Sequence, residues 1–296
     1  MADRVHEPVL TAEVMALLAA ERGGLFVDCT VGLGGHTQAL LEAGASKVLG
    51  LDRDRDALRM AGERLNAFGE RVELVHADYR DLPRVLDERG VAGVAGALAD
   101  LGVSSMQLDA EGRGFSFRRD EPLDMRMDRS QGPTAADLLR QAGEEELANV
   151  IFEHGEERYS RRIARAIVAA RRTTEIATTG QLAQLVRRAV PHRGYQRIDP
   201  ATRTFQALRI WVNRELEQLD EFLGTACSRL LTGARLVVIT FHSLEDRIVK
   251  HAFRALAQGR AALQVLTKRP IVPGDAEIER NPRARSAKLR AIERLA

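Results

Sequence analysis

Residues 25–52 read LFVDCTVGLGGHTQALLEAGASKVLGLD, and this stretch decides the fold class. It begins with a short apolar run, passes through a glycine-rich turn into a helical pattern, and ends in a second apolar run closed by Asp52. A strand, a helix and a second strand in this order form a βαβ unit with parallel strands. The glycines allow a sharp turn and a close approach to a ligand, toward which the helix amides point. The stretch therefore predicts the ligand-binding first unit of an α/β sheet.

The alternation of strand and helix patterns continues along the chain and then stops. Further strands are predicted at 72–76, 95–101, 235–241, 263–268 and 287–292. Helices within this alternating part are predicted at 37–43, 56–68 and 244–258. Between 107 and 219 no period-2 pattern is found, and the spacing predicts only helices, at 134–141, 144–153, 158–171, 179–190 and 201–226. The sequence predicts a doubly wound sheet interrupted after its fourth strand by a helical insertion.

The composition fits a large globular chain. Of the 296 residues, 45% are apolar and 29% are charged, with a net charge of +2, which excludes a disordered protein. No apolar run approaches the roughly 18 to 20 residues of a membrane span, and the first ten residues lack the apolar run of a secretory signal. Cys29 and Cys227 lack zinc-site or disulfide-framework spacing, and no His/Cys/Asp set has metal spacing. We therefore expect a cytoplasmic protein without a membrane segment or a metal.

Acidic residues follow each of the first four predicted strands: Asp28, Asp52, Asp78 and Asp100. The carboxyl ends of parallel strands meet at one edge, where open α/β sheets bind ligands. Asp52 is placed to accept hydrogen bonds from both hydroxyls of a ribose, because a carboxylate only accepts. A carboxylate-lined crevice repels phosphates and attracts cations, and S-adenosylmethionine carries a sulfonium cation, a ribose and no phosphate. The pattern favours a methyltransferase over a nicotinamide dehydrogenase, whose G-x-G-x-x-G fingerprint is broken by Thr37.

Long motifs distributed over residues 6–294 resemble those of the bacterial RsmH (MraW) family. They include HEPVL at 6–10, VGLGGH at 31–36, ADLGVSSMQLD at 99–109, RGFSFRRDEPLDMRMD at 113–128, GEERYSRRIARAI at 155–167, DPATRTFQALRIWVN at 199–213, ITFHSLEDRIVK at 239–250 and NPRARS at 281–286. Members of this family are S-adenosylmethionine-dependent methyltransferases that modify the exocyclic N4 of a cytidine in 16S ribosomal RNA. The resemblance implies the same reaction here, in the decoding region of the small ribosomal subunit.

The resemblance also implies site residues and domains. Cofactor contacts are expected at Gly34, Gly35, His36, Asp52, Tyr79, Asp100 and Gln107. Residues 1–107 and 211–296 are expected to form a Rossmann-like class I methyltransferase domain, and 108–210 an inserted all-helical domain for RNA recognition. Asp28 lies four residues before Gly32, whereas the first acid of many methyltransferases lies two before it, so a cofactor contact from Asp28 stays open.

The chemistry points to Asp100 as the catalytic residue. The exocyclic amine of cytosine is a poor nucleophile, so methyl transfer needs an oriented amine and an acceptor for its N–H. Many amino-methyltransferases carry an acid, two prolines and an aromatic after the fourth strand. Here the acid is present as Asp100 and the aromatic is absent; candidates to replace it are Phe115, Phe117, Trp211, Phe241 and His242. Asp100 either accepts from the cytosine amine or holds only the amino group of the cofactor.

Other interpretations remain open at this level. The alternatives are a nicotinamide oxidoreductase, a DNA or protein amino-methyltransferase, and a non-catalytic RNA-binding assembly factor with a methyltransferase fold. Arginines suit phosphate contacts, and the candidates are Arg113, Arg118, Arg119, Arg126, Arg158, Arg161, Arg162, Arg165, Arg283, Arg285 and Arg290. The sequence does not decide between naked RNA and an assembled subunit as substrate, or between a monomer and a homodimer.

Overall fold

The computed structural model describes residues 8–191, 198–259 and 262–295. His6 and Glu7 of the HEPVL motif lie outside the described residues. The chain divides into two compact units. The sheet unit comprises Met1–Gly102 and Gln218–Ala296, and the helical unit comprises Val103–Glu217. Within the described ranges, every helix is too short or too polar to cross a bilayer.

The sheet unit contains one seven-stranded sheet. Its strands are β1 Leu25–Asp28, β2 Lys47–Asp52, β3 Val72–His76, β4 Val94–Asp100, β5 Leu230–Thr240, β6 Leu263–Val265 and β7 Lys288–Arg294. They lie in the order β3-β2-β1-β4-β5-β7-β6, with β1 to β5 parallel and β7 antiparallel to both neighbours. The order reverses between β1 and β4, which is where open sheets of this kind bind ligands.

The helices are α1 Thr11–Leu18, α2 Gly35–Ala43, α3 Arg55–Leu65, α4 Leu82–Asp87, α5 Ser105–Asp109, α6 Ala135–Gln141, α7 Glu144–Gly155, α8 Ser160–Ala170, α9 Thr179–Ala189, α10 Ala201–Asn213, α11 Leu219–Ser228, α12 Ser243–Gln258 and α13 Asp275–Arg280. Helices α5 to α10 belong to the helical unit and the others to the sheet unit.

Alternate residues of the central strands divide between two apolar cores, one on each face of the sheet. Phe26 and Leu98 pack in the core that contains buried residues of α1, α2 and α3. Val27 and Ala97 pack in the opposite core, with buried residues of α4, α11 and α12. This division follows from the two-residue period of a strand buried on both faces. The predicted doubly wound, Rossmann-like sheet is confirmed.

The helical unit has an apolar core of its own, which includes Leu147, Ile163, Leu182 and Phe205. Among its described residues, the β structure is a single isolated bridge between Pro122 and Thr178. The end of α10 fixes the preceding long loop. Asn213, which is buried, donates to the Met125 carbonyl (2.7 Å) and accepts from the Met127 amide (2.7 Å).

Two features differ from the sequence-based expectation. The helix predicted at 201–226 is two helices, α10 and α11, because Arg214 and Gln218 adopt left-handed backbone conformations with φ of 53° and 56°. Neither residue is a glycine or proline, so the sequence gives no sign of the break. The sheet is also not parallel throughout, because β7 returns between β5 and β6; antiparallel neighbours need no helical crossover between them.

Candidate active site

The loop after β1 is held in shape by Asp28, which is 1% exposed. One carboxylate oxygen accepts from the Thr37 hydroxyl (2.7 Å) and the other from the Thr30 amide (3.2 Å). Burial raises the pKa of Asp28 to about 6, although both hydrogen bonds oppose the shift. Asp28 therefore ties the β1 strand end to the first turn of α2.

The glycines of the loop meet three different structural demands. Gly34 caps α2 with a φ of 80°, a left-handed conformation that favours glycine. A Cβ on Gly35 would lie 3.0 Å from the Pro8 side chain, so a close approach of the backbone requires this glycine. A Cβ on Gly32 would have no protein atom within 4 Å, so this part of the loop faces open space. The predicted Gly34 and Gly35 thus shape the loop, and Gly32 leaves room for a ligand.

Asp52 closes β2 and contacts the same loop. Its Oδ2 accepts from the Gly32 amide (2.7 Å) and its Oδ1 from the Asp54 amide (2.8 Å). Burial raises the pKa of Asp52 to about 6 despite these hydrogen bonds. Each carboxylate oxygen has a second lone pair, so the group can still accept from two hydroxyls of a ligand. The spacing of twenty residues in the sequence corresponds to a direct contact in the structure.

The acid after β3 has a different environment. Asp78 receives a hydrogen bond from Arg80 (2.8 Å) and lies 3.3 Å from the Arg53 guanidinium. Burial pushes its pKa upward, but the two arginines outweigh burial and lower the pKa. Asp28 and Asp78 are thus both engaged by partners within the protein. Next to Asp78, the buried Tyr79 ring packs against Phe222 with ring centroids 4.7 Å apart.

Asp100 closes β4 in the most unusual setting of the four acids. Its amide donates to the Thr30 hydroxyl (2.6 Å), which fixes the strand end beside the β1 loop. Its side chain is 24% exposed, yet Oδ1 is buried and has no hydrogen-bond partner among the described residues. Burial, then the charges of Asp28 and Glu245, raise the pKa of Asp100 to about 8. A buried acceptor without a donor calls for a partner, and a cation or an N–H group of a ligand would satisfy it.

His36 and Gln107 are more enclosed than the resemblance implied. The His36 side chain is buried, with Nε2 2.9 Å from the Val9 carbonyl and Nδ1 3.7 Å from Asp100 Oδ2. Gln107 accepts from the Ser104 amide (2.9 Å) and forms a capping box at the start of α5. Gln107 belongs to the helical unit, whereas the other predicted contacts belong to the sheet unit.

The end of β5 contributes residues that the sequence analysis only partly identified. A Cβ on Gly102 would lie 2.8 Å from the Phe241 ring, so this ring packs against the turn that follows Asp100. Glu245, which is buried, accepts from the Phe241 amide (2.9 Å) and adds negative charge near Asp100. The FHSLED run directly after an apolar strand was the available sign of this cluster.

The remaining aromatic candidates have other roles. Phe115 is buried, and Phe117 packs edge-on against Phe205 with ring centroids 4.8 Å apart, both within the helical core. Trp211 packs against the same core. His242 caps α12, and its Nδ1 faces the Glu245 amide.

The arginine candidates divide into structural and exposed groups. Arg113 and Arg290 are buried: Arg113 donates to the Met127 carbonyl (3.0 Å) and Arg290 to Asp246 (2.6 Å). Arg126 pairs with Asp124 at 2.7 Å. The expectation of RNA contacts is therefore wrong for Arg113 and Arg290, because both guanidinium groups are enclosed by protein. The exposed candidates are Arg118, Arg119, Arg283 and Arg285, and four more on and just before α8: Arg158, Arg161, Arg162 and Arg165.

Comparison with known proteins gives full-length similarities. A family model described as the MraW methylase family matches residues 3–295. A relative named "Ribosomal RNA small subunit methyltransferase H" from Geotalea uraniireducens is 47% identical over 100% of both chains. A relative of the same name from a Cyanothece species is 53% identical over 98% of this chain and 95% of its own length. A solved rRNA methylase from Streptococcus thermophilus is 12% identical, covers 97% of this chain and 94% of its own, and has a TM-score of 0.43.

Proposed function

The chain belongs to the MraW methylase family, and on that premise we propose that it methylates the exocyclic N4 of a cytidine in the decoding region of 16S rRNA. The family and its relatives support methylation of small-subunit rRNA. The choice of an exocyclic amine as acceptor depends on one observation at the end of β4, the buried Asp100 Oδ1, which has no donor within the described part of the chain. An amine N–H is a donor that this oxygen can accept from.

The residues at the carboxyl edge of the sheet fit S-adenosylmethionine as the cofactor. Asp52 would hold the ribose hydroxyls, the backbone of 34–36 would approach the methionine and ribose end, and Tyr79 would lie beside the adenine. The Asp100 carboxyl, whose Oδ1 has no partner in the ranges that the structure describes, suits a cationic ligand better than a phosphate. The bound cofactor supplies an electrophilic methyl group attached to a sulfonium. For Gln107 a cofactor contact stays a proposal drawn from the family.

The side chains around Asp100 then account for orientation and proton removal. The Asp100 carboxylate accepts from one N–H of the cytosine amine, which aligns the nitrogen lone pair and stabilises the positive charge that develops on nitrogen. Phe241, packed against the turn after Asp100, is the aromatic that we assign to stack on the base. It takes the place of the aromatic that other amino-methyltransferases carry directly after the fourth strand. A base acted on in this way has to leave its stack.

We assign RNA recognition to the helical unit, with the predicted bounds 108–210. Arg158, Arg161 and Arg162 are exposed, and Arg165 has a weak surface pairing with Glu144 at 3.5 Å. Exposed guanidinium groups can exchange water and surface partners for RNA phosphates at low cost. The substrate that we propose is the 16S rRNA within the small subunit, in the cytoplasm.

Methyl transfer to isolated small ribosomal subunits tests this function. With isotopically labelled cofactor, nucleoside analysis by mass spectrometry is expected to show N4-methylcytidine. In Asp100→Asn the single-turnover rate at saturating cofactor is expected to fall about a hundredfold or more, in line with the loss of a positioned acid–base group. His251→Gln, an exposed position on α12, is the control and should retain the full rate. Label on a ring carbon or a ribose, or a near-normal rate in Asp100→Asn, would contradict the proposal.

A further inference from the structure

The buried His36 ring has an acceptor next to each of its two nitrogens. Nε2 lies 2.9 Å from the Val9 carbonyl oxygen, which can only accept, so Nε2 carries a proton. Nδ1 lies 3.7 Å from Asp100 Oδ2. In a neutral ring with a proton on Nε2, Nδ1 is an acceptor; in the imidazolium, both nitrogens donate. Either a protonated Asp100 faces a bare Nδ1, or an Asp100 carboxylate faces a protonated Nδ1.

Asp100 has an environment that disfavours its ionised form. Its side chain is largely desolvated, and the carboxylates of Asp28 and Glu245 act on it from the β1 loop and from α12. Together with burial they raise the pKa of Asp100 to about 8, so without a compensating cation Asp100 stays protonated up to about that pH. A protonated Asp100 can still accept an N–H at its carbonyl oxygen, but it cannot take up the proton that the reaction releases, which the proposed reaction requires of it. His36 is the neighbouring group that can take up this proton and remain beside the carboxylate.

We infer that His36 and Asp100 hold one proton between them as an ion pair at 3.7 Å, and that His36 is a positioning residue that holds Asp100 as a carboxylate facing the substrate amine. The arrangement leaves Asp100 Oδ1, which has no partner among the residues described, to accept from the incoming N–H. Nothing in this role requires the His36 side chain to touch the cofactor, although the backbone of residues 34–36 can do so. The pairing of His36 with Asp100 does not depend on the proposed reaction; only its role in catalysis rests on the proposed function.

The proton balance of the transfer is then complete. The bond between the cytosine N4 and the methyl carbon forms, and the bond between that carbon and sulfur breaks with its electron pair retained by sulfur. One N–H bond of the resulting cationic nitrogen breaks, and the proton moves to Asp100 Oδ1. Besides the Nε2 proton, the pair now holds two protons, one on His36 Nδ1 and one on Asp100, and returns one of these two to solvent when the product leaves. His36 keeps its own proton throughout.

Nitrogen NMR on the cofactor-free protein tests the shared proton without any activity measurement. The chain has seven histidines, and the His36 signals are assigned from those missing in His36→Gln. We expect Nε2 to be protonated from pH 6 to 8, and the Nδ1 chemical shift to lie between those of a bare and a protonated nitrogen. In Asp100→Asn, Nδ1 should shift to the value of a bare nitrogen. An identical Nδ1 shift in both proteins, or a proton on Nδ1 alone, would overturn the inference.

The pH dependence of single-turnover methylation tests the positioning role. Without His36, ionisation of Asp100 follows its raised pKa of about 8, so His36→Gln should be about 30-fold slower than wild type at pH 6.5 and recover toward wild type near pH 9. His251→Gln, the control on α12, should follow the wild-type profile.

The outcomes separate the inference from the proposed function. A loss of rate in His36→Gln that is equal at every pH would mean a purely structural role, and an unchanged rate would exclude any role. Both results would overturn the inference and leave the proposed function intact. If the wild-type protein itself transfers no methyl group to small subunits, the proposed function fails, and the NMR experiment still decides whether the proton is shared. If His36→Gln does not fold, the His36 signals are assigned instead by sequential backbone correlations in the wild-type protein, so the NMR experiment still applies.

Discussion

At the scale of single residues, the site depends on acids that differ in what already surrounds them. Asp28 and Asp78 are satisfied within the protein, by hydroxyl and amide donors in one case and by two arginines in the other. Asp52 is fixed by backbone amides but keeps acceptor capacity, and Asp100 keeps one oxygen without a donor among the described residues. Only the last two of these four acids are therefore suited to a ligand.

Replacement of Asp52 by alanine should weaken cofactor binding. The change removes a charge-assisted acceptor worth roughly 1–3 kcal/mol, which corresponds to a tenfold to hundredfold loss of affinity. It also leaves the Gly32 amide without its acceptor, so the loop after β1 loses a fixed point. Titration calorimetry with S-adenosylmethionine measures the effect, with the exposed Glu63→Ala on α3 as control. Equal affinity in Asp52→Ala and wild type would remove Asp52 from the site.

The raised pKa of Asp100 predicts a pH dependence of folding stability. The native protein binds this proton more tightly than the unfolded chain, whose Asp titrates near 3.8. The resulting stabilisation is complete below pH 4 and is lost as the pH rises to about 8, at up to about 1.4 kcal/mol per pH unit. Urea unfolding of cofactor-free His36→Gln, in which no imidazolium compensates Asp100, should therefore show a steeper fall from pH 5 to 8 than the double variant His36→Gln/Asp100→Asn. Equal slopes of unfolding free energy against pH in the two proteins would show that the pKa of Asp100 is not raised on folding.

The sequence located the acids but could not rank them. Gly32 and Asp52 are distant in the chain but form a hydrogen bond, because a βαβ unit places both strand ends side by side. The neutralisation of Asp78 by Arg53 joins two different strand ends, and the burial of His36 involves Val9 from the chain before α1. These contacts depend on tertiary packing, which spacing along the chain does not encode.

At the scale of elements, α10 stabilises the loop of the helical unit through its last residue. Asn213 satisfies the Met125 carbonyl and the Met127 amide, and Met125 has a left-handed φ of 63°. Asn213→Ala leaves both buried backbone groups without partners, which should cost about 2–4 kcal/mol of unfolding free energy. Urea unfolding followed by the fluorescence of the single tryptophan, Trp211, reports on this unit. Thr202→Ala, exposed on the same helix, is the control; an equal midpoint for both variants would contradict the assignment.

The sequence patterns did not predict two features of the fold: the break between α10 and α11 and the direction of β7. The chain turns out of α10 and into α11 through Arg214 and Gln218 in left-handed conformations, and the residues between them, Glu215 to Glu217, carry helix-favouring side chains. The break therefore does not follow from local helix preference. The parallel strands were predictable because strands buried on both faces appear as apolar runs. The direction of β7 was not, since a strand pattern has no direction.

At the scale of the whole molecule, the helical unit is one continuous segment with its own core, so it should fold alone. We expect a fragment of residues 103–217 to give a cooperative thermal transition by circular dichroism at 222 nm. It should also bind small-subunit rRNA weakly, with an affinity that falls as salt rises. Replacing Arg158, Arg161 and Arg162 by glutamine should reduce the slope of that salt dependence by about 1 for each phosphate that is no longer neutralised. An unchanged slope would place the RNA contacts elsewhere.

The pairing of β4 with β5 has a consequence for how this chain is made. β4 ends at Asp100 and β5 begins at Leu230, so translation delivers the entire helical unit before the partner strand of β4 exists. During that interval the nascent chain presents β4 as an open edge, the kind of surface that pairs with stray strands. The pairing of β4 with β5 joins residues far apart in the chain. Such pairing is slow unless the intervening segment has already become compact. Early folding of the helical unit would shorten that interval, so variants that destabilise this unit should aggregate during synthesis even where the finished sheet is unaffected.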